Sequence, residues 1–286
     1  MADILSGKEV AAALNEQLKR DVAALYEKGI TPSLCIVRIG DEEADVAYER
    51  GALKRAETVG VHAESHRLPA DISQANLLAE IDKINRDDSI HGALLLRPFP
   101  AHIDDKAVCA ALRPDKDVDG ITEQSMAGVY AGRGAAFPPC TAEACLAILD
   151  HYGIDPTGQK VVVIGRSLVV GRPVSMLLLQ RNATVTICHT KTKNLPAVCR
   201  DADLLIVAAG QAKNIGPVYV REGQIIIDVG IHADEQGNLC GDVDFDAVET
   251  TVKAITPVPG GVGPVTASIL MKNVVRAAHV LSSSSE

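Results

Sequence analysis

The residues best placed to do chemistry lie in the stretch VVVIGRSLVVGRPVSMLLL, residues 161–179. Its leading valines and isoleucine read as a buried strand, Gly165 ends that strand and opens a turn, and Val174–Leu179 reads as a helix. Strand, glycine turn and helix start aim backbone N–H groups and the positive helix end at one point, where a phosphate can bind. Arg166 follows the glycine directly and Ser167 stands beside it. A guanidinium there suits a phosphate-bearing nucleotide, including one with a 2′-phosphate. The run is not the G-x-G-x-x-G fingerprint, and a turn that merely packs a βα unit is the plainer alternative. His189 could be a base and Cys140 a nucleophile, but neither has a partner that the sequence can place, so both read as packed residues. The acidic residues between Asp234 and Glu249 read as a solvated loop and helix face. No metal-ligand spacing is visible, so no metal is expected.

The elements around this turn alternate. A helix starts near Gly7, capped by Ser6, with Val10, Ala13, Leu14, Leu18 and Val22 at helical spacing. Ser33–Ile39 is a strand, Ala44 to Thr58 a helix ended by Gly60, and Ala63–Leu68 a weaker strand. Asp71–Arg86 reads as a helix capped by Asp71, and His91–Leu96 as a strand stopped by Pro98 and Pro100. Beyond Thr141–His151, a helix, the second half runs strand, helix, strand, short helix, strand, strand. Such alternation implies parallel sheets with covered faces. Ile255–Ala267, ITPVPGGVGPVTA, reads as a rigid loop incompatible with helix, before a last helix over Ser268–Leu281. Two α/β units follow, dividing between residues 140 and 155, and a cleft between them is the expected ligand site.

Composition narrows the function. At 286 residues and 47% hydrophobic, the chain can bury a sizeable core without disulfides. A net charge of −9 argues against nucleic acid and against an anionic membrane surface. No apolar run approaches the roughly eighteen residues of a membrane span. The start, MADILSGKEV, lacks the basic-then-apolar layout of a signal peptide. The seven cysteines include no C-x-x-C pair, so neither a zinc site nor a disulfide framework is indicated. A cytoplasmic globular protein is expected.

An ordered set of segments carries a resemblance. KDVDG at Lys116–Gly120, PCTAEA at Pro139–Ala144, GRSLVVGRP at Gly165–Pro173, NATVTICH at Asn182–His189, IDVGI at Ile227–Ile231 and TPVPGGVGPVT at Thr256–Thr266 are similar to the methylenetetrahydrofolate dehydrogenase/cyclohydrolase family of folate one-carbon metabolism. The resemblance implies an α/β protein of two domains flanking a cleft, the C-terminal one Rossmann-like with a parallel sheet, usually as a homodimer. It implies a folate-binding catalytic domain over 1–142, to which the helix 268–286 returns, and an NAD(P)-binding domain over 143–267. In the family, a hydride moves from 5,10-methylenetetrahydrofolate to NADP, or to NAD in some members. Water then opens methenyltetrahydrofolate to 10-formyltetrahydrofolate.

Residue by residue, the resemblance makes Tyr48 and Asp119 the catalytic and folate-binding residues, the Asp119 carboxylate taking the amino-pyrimidine edge of the pterin with two parallel acceptors. A turn aspartate capping local backbone is the alternative. The resemblance adds Pro259, Gly260 and Gly261 to the substrate side, and Gly165, Arg166, Ser167, Thr190 and Ile231 to the cofactor side. Thr190 ends the second strand of the nucleotide unit, no acid stands there to hold a free 2′-hydroxyl, and Lys191 and Lys193 follow, which favours NADP over NAD.

Two positions depart from the family pattern. It puts a lysine four residues after the tyrosine, on the same helix face, where this chain has Ala52. Lys54 lies about 240° round from Tyr48, and Arg55 is on the right face but stays protonated. The lysine's glutamine partner corresponds to Leu96, and Arg97, one residue on, points to the other strand face. The expectation is a dehydrogenase with weak or absent cyclohydrolase activity. A full bifunctional enzyme, a shikimate-type dehydrogenase and a non-catalytic nucleotide binder are the alternatives.

Overall fold

Short aliphatic runs form the strands, and the amphipathic segments between them form the helices that cover the sheets. The computed structural model describes residues 1–133, 137–234 and 236–283. In chain order its elements begin with β1 (Asp3–Ile4), α1 (Gly7–Tyr26), β2 (Ser33–Ile39), α2 (Glu43–Val59), β3 (His62–Leu68) and α3 (Gln74–Arg86). Next come β4 (Gly92–Leu95), α4 (Asp105–Ala111), α5 (Glu123–Ala131), α6 (Cys140–His151), β5 (Lys160–Ile164), α7 (Gly171–Gln180) and β6 (Thr184–Cys188). The rest are α8 (Leu195–Arg200), β7 (Leu204–Val207), β8 (Ile225–Asp228), β9 (His232–Ala233), β10 (Leu239–Cys240), α9 (Phe245–Val248), β11 (Ala254–Ile255) and α10 (Val262–Ser283). Among the described residues, no helix is long and apolar enough to cross a membrane.

The chain divides into two compact units, one of Met1–Ala12 with Thr141–Thr266 and one of Ala13–Cys140 with Ala267–Glu286. The first twelve residues, placed by sequence with the N-terminal domain, belong to the other unit because β1 pairs in parallel with β11. Both α1 and α10 run across the division. The last helix also starts earlier than expected, at Val262 rather than Ser268. Gly263 and Pro264 fall in its first turn, where an N–H has no helical partner and proline is tolerated.

In the unit of residues 13–140, the sheet order is β3-β2-β4, all parallel. Strand β2 is buried along its whole length. Alternation sends Cys35, Val37 and Ile39 to one face, where they pack with Leu77, Ile81 and Ile84 of α3. Arg38 goes to the opposite face, to Glu49 of α2. Helix α3 starts at Gln74 with Ser73 as its cap, three residues later than expected, because the Ser73 hydroxyl accepts the N–H of Asn76.

In the other unit, six parallel strands take the order β1-β11-β8-β7-β5-β6. Buried apolar residues of β5, β7 and β8, such as Val162, Leu205 and Ile226, share a core with Ile215, Val243 and Val248. The chain leaves β5 for its neighbour β6 on one side and then returns to β7 on the other. That reversal makes the carboxyl ends of β5 and β7 a topological switch point, where open α/β sheets bind ligands.

Candidate active site

In the smaller sheet the reversal lies between β2 and β4, so its ligand-binding position is the carboxyl end of those strands. Helix α2 leaves from the end of β2 and carries Tyr48, while Leu96 and Arg97 follow β4 directly. Segment Lys116–Asp119 runs beside β4, through the bridge of Ala93 with Asp117 and the bond from the Ala93 N–H to the Lys116 carbonyl (2.8 Å).

The residues of KDVDG divide their work by orientation. Lys116 is buried, and its Nζ donates to the carbonyls of Ile84 (2.8 Å) and Asp87 (2.6 Å). Asp117 is fully buried and accepts from the N–H groups of Ile121 and Thr122 and the hydroxyl of Ser125 at 2.7–2.9 Å. Both hold the turn. Gly120 has φ +69°, and a Cβ there would lie 2.5 Å from the Phe137 carbonyl oxygen, so only glycine fits. Asp119, between them, is partly exposed. Burial pushes its carboxyl up to about 6, against the opposing hydrogen bonds from the thiol and backbone N–H of Cys140.

Tyr48 belongs to the same cluster. Its residue is 43% exposed, and its phenol is pushed above the usual range by burial, the Asp119 charge and Cys140. Cys140 itself is buried, its Sγ donating to the Val118 carbonyl (3.3 Å) and receiving the Asn273 amide (3.6 Å). It packs there and orients Asp119. Ala52, one turn beyond Tyr48, is buried, as is Leu96. Neither can titrate. Arg97 is bound to Asp105 (3.0 and 3.1 Å) and to the Cys109 sulfur (3.5 Å). Lys54 is exposed, and Arg55 is half-buried, its guanidinium held below its ordinary value by burial.

The nucleotide-type residues line up along the carboxyl edge of the six-stranded sheet. Gly165–Ser167 follow β5, His189 and Thr190 follow β6, Ile231 follows β8, and Pro259–Gly261 follow β11. Gly165 has φ +124°, and a Cβ would lie 2.2 Å from the Ala208 carbonyl oxygen. A Cβ on Gly171 would lie 2.2 Å from the Gly165 oxygen, so the turn closes only with both glycines. The Ser167 hydroxyl oxygen accepts from the N–H groups of Val170 (3.1 Å) and Gly171 (3.4 Å), so Ser167 closes the turn that leads into α7. Arg166, Leu168 and Val169 are exposed beside it. Thr190, Lys191 and Lys193 are exposed too, and His189 Nδ1 is taken by the Lys191 N–H (3.1 Å). Ile231 is 66% exposed. Gly261 is packed against the start of α1, where a Cβ on Gly7 would lie 1.7 Å from its oxygen.

Two aspartates that support this edge were not recognised from sequence. Asp242, expected on a solvated face, is fully buried. It accepts from the N–H groups of Ala209 (2.7 Å), Gly210 (3.1 Å) and Gln211 (2.8 Å), fixing the loop after β7, and its Oδ1 is paired with His232 Nε2 (2.8 Å). Asp228, at the end of β8, accepts from the N–H groups of Gly230, Asp242 and Val243 at 2.9–3.1 Å. Burial nevertheless pushes it up to about 6. The signal for both was local: Asp228 ends an apolar strand and Asp242 follows a glycine.

The family model for the tetrahydrofolate dehydrogenase/cyclohydrolase catalytic domain matches residues 5–119, and that for the family's NAD(P)-binding domain matches 139–282. The bifunctional protein FolD of Clostridioides difficile (strain 630) is 49% identical over 274 residues, 96% of each chain. The crystal structure of the bifunctional FolD methylenetetrahydrofolate dehydrogenase/cyclohydrolase from Campylobacter jejuni is similar with a TM-score of 0.96 and 40% identity, over 98% of this chain and 99% of that one. That of the Trypanosoma brucei N5,N10-methylenetetrahydrofolate dehydrogenase-cyclohydrolase, complexed with NADP cofactor and an inhibitor, has a TM-score of 0.93 at 34% identity over 98% of both chains. With its two α/β units, its glycine turn and its Tyr48–Asp119 cluster, this chain belongs to the tetrahydrofolate dehydrogenase/cyclohydrolase family.

Proposed function

We propose that the chain is an NADP-dependent 5,10-methylenetetrahydrofolate dehydrogenase whose cyclohydrolase activity is weak or absent. It acts in the cytoplasm as a homodimer, on a folate small molecule. Asp119 holds the amino-pyrimidine edge of the pterin through two acceptors, and Tyr48 sets the ring against it. Pro259, Gly260 and Gly261 bound the substrate side. The residues present suit NADP: Gly165 and Gly171 let backbone approach phosphate, Arg166, Lys191 and Lys193 offer positive charge, and no carboxylate follows β6. Arg166, Ser167, Thr190 and Ile231 line that side, and NADP supplies the hydride acceptor. Positioning is what the protein must add to a hydride transfer.

Water activation differs, since it needs a group that moves a proton. The observation carrying the monofunctional reading is Ala52, buried on the Tyr48 face of α2, with buried Leu96 at the end of β4. The nearby cations do not replace a titrating amine. Arg97 is engaged by Asp105, and a guanidinium stays protonated. The full bifunctional enzyme is the second reading, favoured by the relatives named bifunctional and by the half-buried Arg55.

Two assays on one preparation decide between them. One follows NADP reduction with methylenetetrahydrofolate; the other follows methenyltetrahydrofolate decay above the spontaneous rate, without nucleotide. Dehydrogenase activity alone is the expected result. Robust decay would overturn the monofunctional reading and direct attention to Arg55 and Arg97.

A further inference from the structure

Cys35 lies well before Glu64 and His66 in sequence, and the three belong to no spacing motif. Pairing of β2 with β3 assembles them. Cys35 and Glu64 are direct partners in the parallel ladder, and His66 lies two residues on, so all three side chains share one sheet face. One ligand atom from each, the Cys35 Sγ, a Glu64 oxygen and a His66 ring nitrogen, lie within 4.8 Å of one another. His66 Nε2 is 3.1 Å from Glu64 Oε1. Donor atoms bound tetrahedrally at about 2.0–2.3 Å stand roughly 3.3–3.8 Å apart, so only small side-chain movements separate this arrangement from a coordination sphere.

The surroundings match those of a metal-binding histidine. His66 Nδ1 is 2.7 Å from Glu80 Oε1 on α3, and Glu80 is mostly buried. The Lys83 ammonium bonds the other Glu80 oxygen (2.8 Å) and, with His66, holds that carboxyl below its ordinary value. In the carboxylate–histidine–metal relation, a carboxylate at Nδ1 holds that proton and leaves Nε2, here 3.1 Å from Glu64 Oε1, as the ligand atom. Glu64, 45% exposed at the side chain, also lines an open pocket of about 450 Å³ with His62, Asp88 and His91, which gives an entry path. The Nδ1 of the buried His91 has no hydrogen-bond partner among the described residues.

We propose that Cys35, Glu64 and His66 bind one divalent ion of the zinc or cobalt class, with Glu80 positioning His66 and the fourth position open to the pocket. A sulfur, nitrogen and oxygen set selects such borderline ions over magnesium or calcium. Binding replaces the Cys35 thiol proton with the ion, and that proton leaves to solvent. Without a metal, the same residues form an ion pair beside a packed cysteine.

Cobalt(II) titration of the metal-stripped, reduced full chain separates the two. The expected result is one Co2+ per chain, with a thiolate-to-cobalt band in the near ultraviolet that Zn2+ abolishes. Cys35→Ser should remove the band and leave dehydrogenase activity unchanged. Glu80→Gln should weaken binding by about ten- to a hundredfold. Glu64→Gln, on the exposed edge strand, should weaken it as well. No stoichiometric band in the wild-type chain would overturn the proposal. So would a band that survives Cys35→Ser, since the other six cysteines are also free and buried. Should Cys35→Ser not fold, unchanged affinity in both glutamine variants would overturn it equally.

Discussion

Asp119 is held with its carboxyl raised from 3.8 to about 6, a position that disfavours the charge the proposed pterin contact needs. A raised acid binds more protons folded than unfolded, so its contribution to stability falls as pH rises from about 4 through 6. Asp119→Asn should therefore gain stability relative to wild type at pH 7.5 and lose that advantage at pH 4, as read by urea midpoints. The same substitution should abolish protection by tetrahydrofolate in thermal melts. Dehydrogenase activity of the wild type should decline below about pH 6 as Asp119 takes up its proton. At positions 52 and 96 the test is a gain: Ala52→Lys with Leu96→Gln should raise methenyltetrahydrofolate hydrolysis well above wild type. Both sites are buried, so the double variant should also be less stable, by about 1–3 kcal/mol for newly buried polar groups.

Helix α2 delivers Tyr48 and Ala52, and its orientation rests on Glu49. Glu49 and Arg38 are 3% and 5% exposed and hydrogen-bonded, and Arg67 binds the other Glu49 oxygen (2.9 and 3.0 Å). Burial alone would raise the Glu49 carboxyl; the hydrogen bonds from Arg67 and Arg38 outweigh it and hold it below normal. A depressed carboxyl contributes stability above its unfolded value of about 4.5 and loses it on acidification. Glu49→Ala removes one Arg38 partner and leaves Asp41 and the Gly40 carbonyl, so it should cost about 1–3 kcal/mol in urea unfolding and lower kcat through a displaced Tyr48. The β5–α7 turn has its own hinge of tolerance. Gly165→Ala meets the Ala208 carbonyl at 2.2 Å and a left-handed φ, so a loss of at least about 1–3 kcal/mol and of NADP protection is expected.

At the scale of the molecule, each unit has its own apolar core and its own parallel sheet with a topological switch point. A ligand that binds only the folded chain stabilises it by mass action, about 2.7 kcal/mol at a hundredfold excess over Kd. NADP and tetrahydrofolate should each raise the melting temperature, NADP no longer doing so in Gly165→Ala. Much of this architecture is legible in the residues. Local propensity and glycine turns mark the parallel α/β class, the β5–α7 turn and the Tyr48–Ala52 spacing, because each depends on neighbours within a few positions. The ordered motifs carried the family, and the alanine four residues after Tyr48 can be counted along one helix. What local pattern could not supply is anything made by strand pairing or by burial of a charge. The placement of β1 in the far sheet, the early start of α10, the buried Asp242 that fixes the β7 loop, and the meeting of Cys35, Glu64 and His66 all depend on residues brought together across the sheets. Sequence settled the longer strands and helices and what chemistry they offer; only the tertiary structure decided the short elements, which polar groups lose water and which partners compensate them, because desolvation is a property of the packed surroundings.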